Sequence, residues 1–217
     1  MKYKLILVVI FSLAASLLSQ EKPKIIDDLA RHYGIESFRD VNSIHYVFNV
    51  ERGDRKISRE WTWFPSEKKV IKGSGKDKVE YIRNTFDRKD ENLLKIDNQF
   101  INDNYWLLFP FRLYWDSGVT ITDEGESHAP ISGEKCHKLV AAYNNSDGYT
   151  PGDIYEVFLD DQLNILEWNF LPGGDLSKTF SVKWSKPENF EGILISTDHS
   201  DKSGKFRLFF TEIIVNK

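Results

Sequence analysis

Among the side chains of the types that bind transition metals, His128, Cys136, His137 and His199 are the ones that could suggest a metal site. A tetrahedral metal site needs such ligands to converge on one point. Cys136 and His137 are neighbours in a strand-like run, so their side chains leave opposite faces and cannot easily share a metal. The five histidines contain no i, i+4 pair and no H-E-x-x-H pattern. There is no G-x-S-x-G elbow and no glycine-rich phosphate loop. Asp116, Asp147 and Asp153 are carboxylates of the kind a hydrolase uses, yet no motif pairs them. The residues therefore predict no catalytic group, no metal and no cofactor. Residues 144–153 are rich in oxygen donors suited to calcium, but their acidic spacing matches no EF-hand loop and reads as a turn-rich connection. Asn144 also opens an N-x-S acceptor triplet, which matters only in a eukaryotic secretory pathway. Arg52, Gly53 and Asp54 spell an integrin-binding tripeptide, but they stand where a hairpin turn is required.

The chemistry this sequence carries in quantity is apolar. It has six Trp, nine Tyr and fifteen Phe, 14% of 217 residues. They gather at Trp61, Trp63 and Phe64, and again at Tyr105, Trp106, Phe109, Phe111, Tyr114 and Trp115. Such a load fits either a packed aromatic core or a cavity that accepts an apolar ligand. In the second case the contacts would be Trp61 and Trp63 on a strand, with Trp106, Leu107, Phe109 and Phe111 on a covering segment.

The elements that must position these residues follow from periodicity. Ile25, Ile26, Leu29, Ala30 and Tyr33 recur at three- and four-residue spacing with Gly34 after them, predicting a short amphipathic helix over 24–33. The period then changes to two. Ile44, Tyr46, Phe48 and Val50 share one strand face, and residues 51–54 turn the chain into a second strand over 57–64. Further strands are predicted over 69–72, 119–122, 135–143, 154–159, 163–171, 179–184, 190–197 and 205–215. About ten strands joined mostly by short loops imply an antiparallel meander curled into a barrel or half-barrel. Residues 78–97 are polar and aperiodic, room for one or two helical turns. Residues 100–110 read as a short apolar helix that stops before Pro110 and covers the concave face of the sheet.

Residues 1–19 begin with Lys2 and Lys4 and continue as an uncharged run, the shape of a secretory signal peptide. Cleavage is expected after Ser16 or a few residues later, leaving a single domain over 20–217. Lys2 and Lys4 would depart and no acid with them, so the formal charge of −4 would fall to −6. An acidic chain without a basic stripe or a basic amphipathic helix excludes nucleic acid and anionic membranes as expected partners. No cysteine follows the apolar run, which argues against a lipid anchor, and Cys136 reads as a buried small hydrophobe. No later segment is apolar enough to span a bilayer. A soluble, exported monomer in the periplasm, or secreted, is the expectation.

The run from Asn98 to Asp116 (NQFINDNYWLLFPFRLYWD), the segment from Gly148 to Asp153 (GYTPGD) with the strand after it, and the strand holding Trp168 resemble an uncharacterised family of exported bacterial proteins. That family is similar in turn to the periplasmic outer-membrane lipoprotein carriers of the LolA-like fold. The resemblance implies a mainly β, α+β architecture: an unclosed antiparallel half-barrel with apolar helices on its concave face and acyl chains bound between helix and sheet. It also implies an apolar or lipidated ligand, a lipoprotein among them, and no catalytic residues. In the carriers an arginine holds the lid shut; Arg59 and Arg112 are the candidates here, neither in a matching motif. The alternative is a structural or protein-interaction module of the same fold, with a filled core and no ligand cavity.

Overall fold

The computed structural model describes residues 21–144 and 150–217. The expected signal peptide, its cleavage site and half of the oxygen-rich loop, residues 145–149, lie outside those residues. The helix predicted over 24–33 is α1, Lys24–His32, with Tyr33 as its C-terminal cap. Ile26, Leu29 and Ala30 are fully buried, so the amphipathic spacing reports the buried face. At Gly34 the chain turns with φ of 92° into α2, Ile35–Phe38. A Cβ there would lie 2.0 Å from the carbonyl oxygen of Gly192, so the elbow requires glycine for both its conformation and its space. The Tyr33 hydroxyl accepts a bond from the Ile165 amide, and its carbonyl accepts one from Leu194, which seats α1 across the sheet.

The strands are β1 (Ser43–Arg52), β2 (Arg55–Phe64), β3 (Lys69–Lys72), β4 (Val79–Ile82), β5 (Val119–His128), β6 (Lys135–Tyr143), β7 (Ile154–Leu159), β8 (Ile165–Leu171), β9 (Phe180–Phe190), β10 (Ile193–Ser200) and β11 (Phe206–Asn216). They form one sheet in the order β4-β3-β2-β1-β11-β10-β9-β8-β7-β6-β5. Every neighbouring pair is antiparallel. The sheet is open, with β4 and β5 as its edges, as the half-barrel expectation requires. The hairpin between β1 and β2 turns at Gly53 and Asp54, the place the sequence assigned it. Between β9 and β10, Glu191 and Gly192 both take positive φ, the two-residue turn whose twist matches that of paired strands.

Two expectations are corrected. Residues 78–97 hold β4 and the start of a long helix rather than isolated helical turns, which raises the strand count to eleven. The helix, α3, runs Glu91–Trp115 and passes through Pro110 instead of stopping before it. The Asp90 carboxylate starts it, accepting the amides of Asn92 and Leu93 at 3.0 Å. Proline removes one backbone donor and crowds the preceding turn. The helix absorbs this as a kink at Leu108, with φ of −122° and ψ of 25°. Burial of every residue from Leu107 to Leu113 carries the chain across the defect.

α3 joins the two edge strands, so it must cross the concave face. Residues two apart on it touch distant strands: Asp103 meets Arg59 of β2, and the Tyr105 hydroxyl meets Tyr143 of β6. β2 and β6 stand seven steps apart in the strand order. On a flat sheet that separation would be about 34 Å, far more than the diameter of about 10 Å of one helix. The sheet therefore curls around α3, and the core is the space between them.

Candidate functional site

The kink divides α3 into two regimes. Beyond it, Phe109 packs edge-on to Trp168 at 4.7 Å between ring centres and lies 5.6 Å from Trp184, while Phe111 stacks on Trp115 and touches Phe38 of α2. Leu107, Phe109 and Phe111 are at most 2% exposed. Here the concave face is filled. Trp61 is also fully buried, edge-on to Phe100, and Trp63 lies half-buried between Phe38 and Phe100.

On the other side of α3 the face is open. A cavity of about 970 Å³ lies between the helix and the strands. Its sheet wall is Phe48 and Val50 of β1, Tyr155 of β7, Trp168 and Phe170 of β8, Phe180 of β9, and Phe206 and Leu208 of β11. Its helix wall is Asn98, Ile101, Asn102, Tyr105 and Trp106. Of the six contact residues named from the sequence, Trp106 lines this cavity; Trp61, Trp63, Leu107, Phe109 and Phe111 stand in the packing around it. Phe180, Val182 and Trp184 alternate along one face of β9: Val182 and Trp184 are buried, and Phe180 reaches the cavity.

A polar latch ties α3 to the β2–β4 side of the sheet. Arg59 grips Asp103 with two parallel bonds, Nε to Oδ2 at 2.6 Å and a terminal nitrogen to Oδ1 at 2.5 Å. The Trp61 indole donates to the same carboxylate at 2.8 Å. Asp103 is fully buried, and burial pushes its carboxyl above the usual carboxylate range against the pull of Arg59, Asn102 and Trp61. One turn and a half earlier, Asp97 accepts from Arg83 at 2.7 Å and from the Tyr81 hydroxyl at 3.0 Å. Lys72 of β3 donates to Gln99 at 2.9 Å. On the far side the tie is aromatic: Tyr105 donates to Tyr143, which donates to Asp116. Of the two lid-holding candidates, Arg59 joins sheet to helix, whereas Arg112 bonds Asn104 and Asp116 next to its own helix.

The lining carries four arginines, Arg52, Arg59, Arg83 and Arg88, against two carboxylates, Asp97 and Asp153, and Arg52 and Arg88 are exposed to solvent. Asp153 accepts the Gly173 amide, and burial raises its carboxyl above the ordinary value. The sequence does not single out Arg52, Arg83 or Arg88 as site residues, because Arg52 ends β1 while Arg83 and Arg88 lie in the connection between β4 and α3. The metal candidates stay apart: His137 bonds Asp123 at 2.6 Å, Cys136 is buried beside Ala129 and Phe158, and His199 sits among Trp106, Trp184 and Phe210. Among the described residues no group of three His, Cys, Asp or Glu could hold a metal, and no helix is long and apolar enough to cross a membrane.

No family model matches the chain, and no curated protein matches it in sequence. Among solved structures it is similar to a DUF1329 family protein from Desulfovibrio piger, at 12% identity over 90% of this chain and 94% of that one, with a TM-score of 0.47. It is similar to a LolA superfamily protein from Nitrosomonas europaea at 9% identity over 91% and 94%, with a TM-score of 0.49. An outer membrane lipoprotein-sorting protein domain from Vibrio parahaemolyticus is similar at 9% identity over 88% and 92%, with a TM-score of 0.46. LolA-like proteins, which the sequence resembles, are thus among the structures it is similar to.

Proposed function

We propose that this chain is a non-enzymatic protein of the bacterial envelope that binds an apolar or lipidated ligand, a free lipid or the acyl chains of a lipoprotein, between the curled sheet and α3. The observation that carries this reading is the 970 Å³ cavity with an aromatic and aliphatic sheet wall. Its volume is at the upper end of what small-molecule sites offer. Each methylene moved from water into such a space contributes about 0.8 kcal/mol. Release would come from α3 swinging about the kink at Leu108, which requires breaking the Arg59–Asp103 latch. The ligand contacts are Trp106 with Phe48, Phe180, Phe206 and Leu208, and the tight packing of Trp61, Trp63, Leu107, Phe109 and Phe111 sets the shape of the space. Export to the periplasm and a monomeric state belong to the same reading.

The test is displacement of the fluorescent apolar probe N-phenyl-1-naphthylamine from purified protein by 1-oleoylglycerol. Saturable probe binding that Ile101→Trp abolishes, through a bulky ring placed on the helix wall, supports the reading. If the wild-type protein takes up no probe, the carrier reading fails and the filled-core interaction module takes its place.

A further inference from the structure

We infer that the ligand is anionic, an amphiphile whose carboxylate or phosphate headgroup is held at the cavity mouth by Arg52 and Arg88 while its chain lies on the aromatic wall; this rests on the carrier reading above. The chain as a whole is acidic, at −4, yet four arginines line this cavity, and two of them, Arg52 and Arg88, are exposed at its opening to solvent. They are not equivalent. Arg59 and Arg83 are committed to Asp103 and Asp97, and their charges are matched where they stand. Arg52 and Arg88 have no carboxylate within ion-pair distance among the described residues; Arg88 lies only over the ring of Phe86. Asp54, two positions from Arg52, forms no ion pair with it.

The latch carboxylates thus leave two solvent-reached guanidiniums at the entrance of an apolar space. Arg52 reaches it because it ends β1, the strand that also supplies Phe48 and Val50 to the wall, and Arg88 because it precedes the Asp90 cap of α3. A guanidinium presents paired donors that match a carboxylate or phosphate oxygen pair. A neutral lipid would leave both unmatched, while an anionic one satisfies chain and charge together. The buried part of the lining, with Tyr155, Trp168 and Leu208, offers no cation, so the headgroup lies outward beside the exposed arginines.

Four ligands sharing one oleoyl or oleyl chain test this: oleate, 1-oleoyl-lysophosphatidate, 1-oleoylglycerol and oleyl alcohol, each competed against N-phenyl-1-naphthylamine at low ionic strength. At least one anionic ligand is expected to bind about tenfold more tightly than the neutral pair, the scale of a charge-assisted hydrogen bond. The better of the two anions identifies carboxylate or phosphate as the headgroup chemistry. Arg52→Gln with Arg88→Gln is expected to erase that advantage and leave 1-oleoylglycerol binding unchanged, which also shows the variant is folded. Equal binding of all four ligands, or an anionic preference that survives the double substitution, overturns the headgroup assignment while the apolar-ligand reading stands. Binding of none of them overturns both.

Discussion

His199 is a titratable side chain held entirely out of water. It is fully buried with its ring 4.4 Å from that of Trp184 and 5.4 Å from that of Trp106, and burial holds its pKa down at about 3. In the unfolded chain the same imidazole titrates near 6.5. Below that pH the unfolded state takes up a proton that the folded state refuses. Stability should therefore fall as pH drops from about 6.5 toward 3, with this residue contributing up to ~1.4 kcal/mol per pH unit. Urea unfolding across that range should show a shallower slope for His199→Leu than for the parent; equal slopes would mean the imidazole is charged in the fold. The sequence grouped this histidine with His128 and His137 as a metal-type side chain and gave no sign that it alone would be fully buried. Its burial depends on Trp106 from the helix and Phe210 from β11 closing over it, which is tertiary information. Arg52 was visible for a different reason, as the start of a turn, and its side chain acquires meaning only because β1 lies beside β11 and its Phe206.

At the scale of elements, the Arg59–Asp103 pair is the joint between β2 and α3. Removing one partner of a buried ion pair leaves an unmatched charge, while replacing both by apolar groups restores balance. Arg59→Met alone should cost about 3 kcal/mol, and Arg59→Met with Asp103→Leu should recover most of it. Chemical denaturation of the three proteins measures this; a double variant as weak as the single one would mean the latch cannot be replaced by apolar packing. Most elements were legible where the physics is local. Alternation located ten strands, and the spacing of Ile26, Leu29 and Ala30 located α1 with its buried face. β9 runs on to Phe190, past the alternation that ends at Trp184, and carries Pro187 within it. Pro187 lies beyond the ladder with β8, which ends at Lys183, so its missing amide faces no strand on that side. α3 was read short at both ends. Its first turns are polar because they lie half outside the core, and Pro110 is overruled by the burial of its neighbours.

The whole molecule is two meanders stitched together: β1 to β4 on one side, β5 to β11 on the other, with β1 against β11 as the seam. The seam pairs Ser43 with Asn216 and Arg52 with Phe206. Cutting the chain after Lys205 removes β11 and should leave no cooperative thermal transition by circular dichroism, since neither part then has a complete wall for α3. A sharp melt in that fragment would show that one meander folds alone. The order of strands was the least legible property, because alternation fixes which residues face inward and is silent about which strands meet across more than 150 positions.

That seam also sets a clock. β1 and β11 meet near the middle of the sheet although their partners lie more than 150 positions apart, and closing so long a loop is slow compared with forming hairpins. Until β11 leaves the ribosome, β1 has an unpaired flank and the aromatic wall has no middle. The sheet therefore cannot close around α3 until β11 has been made and has found β1, which makes that pairing the late step of its assembly.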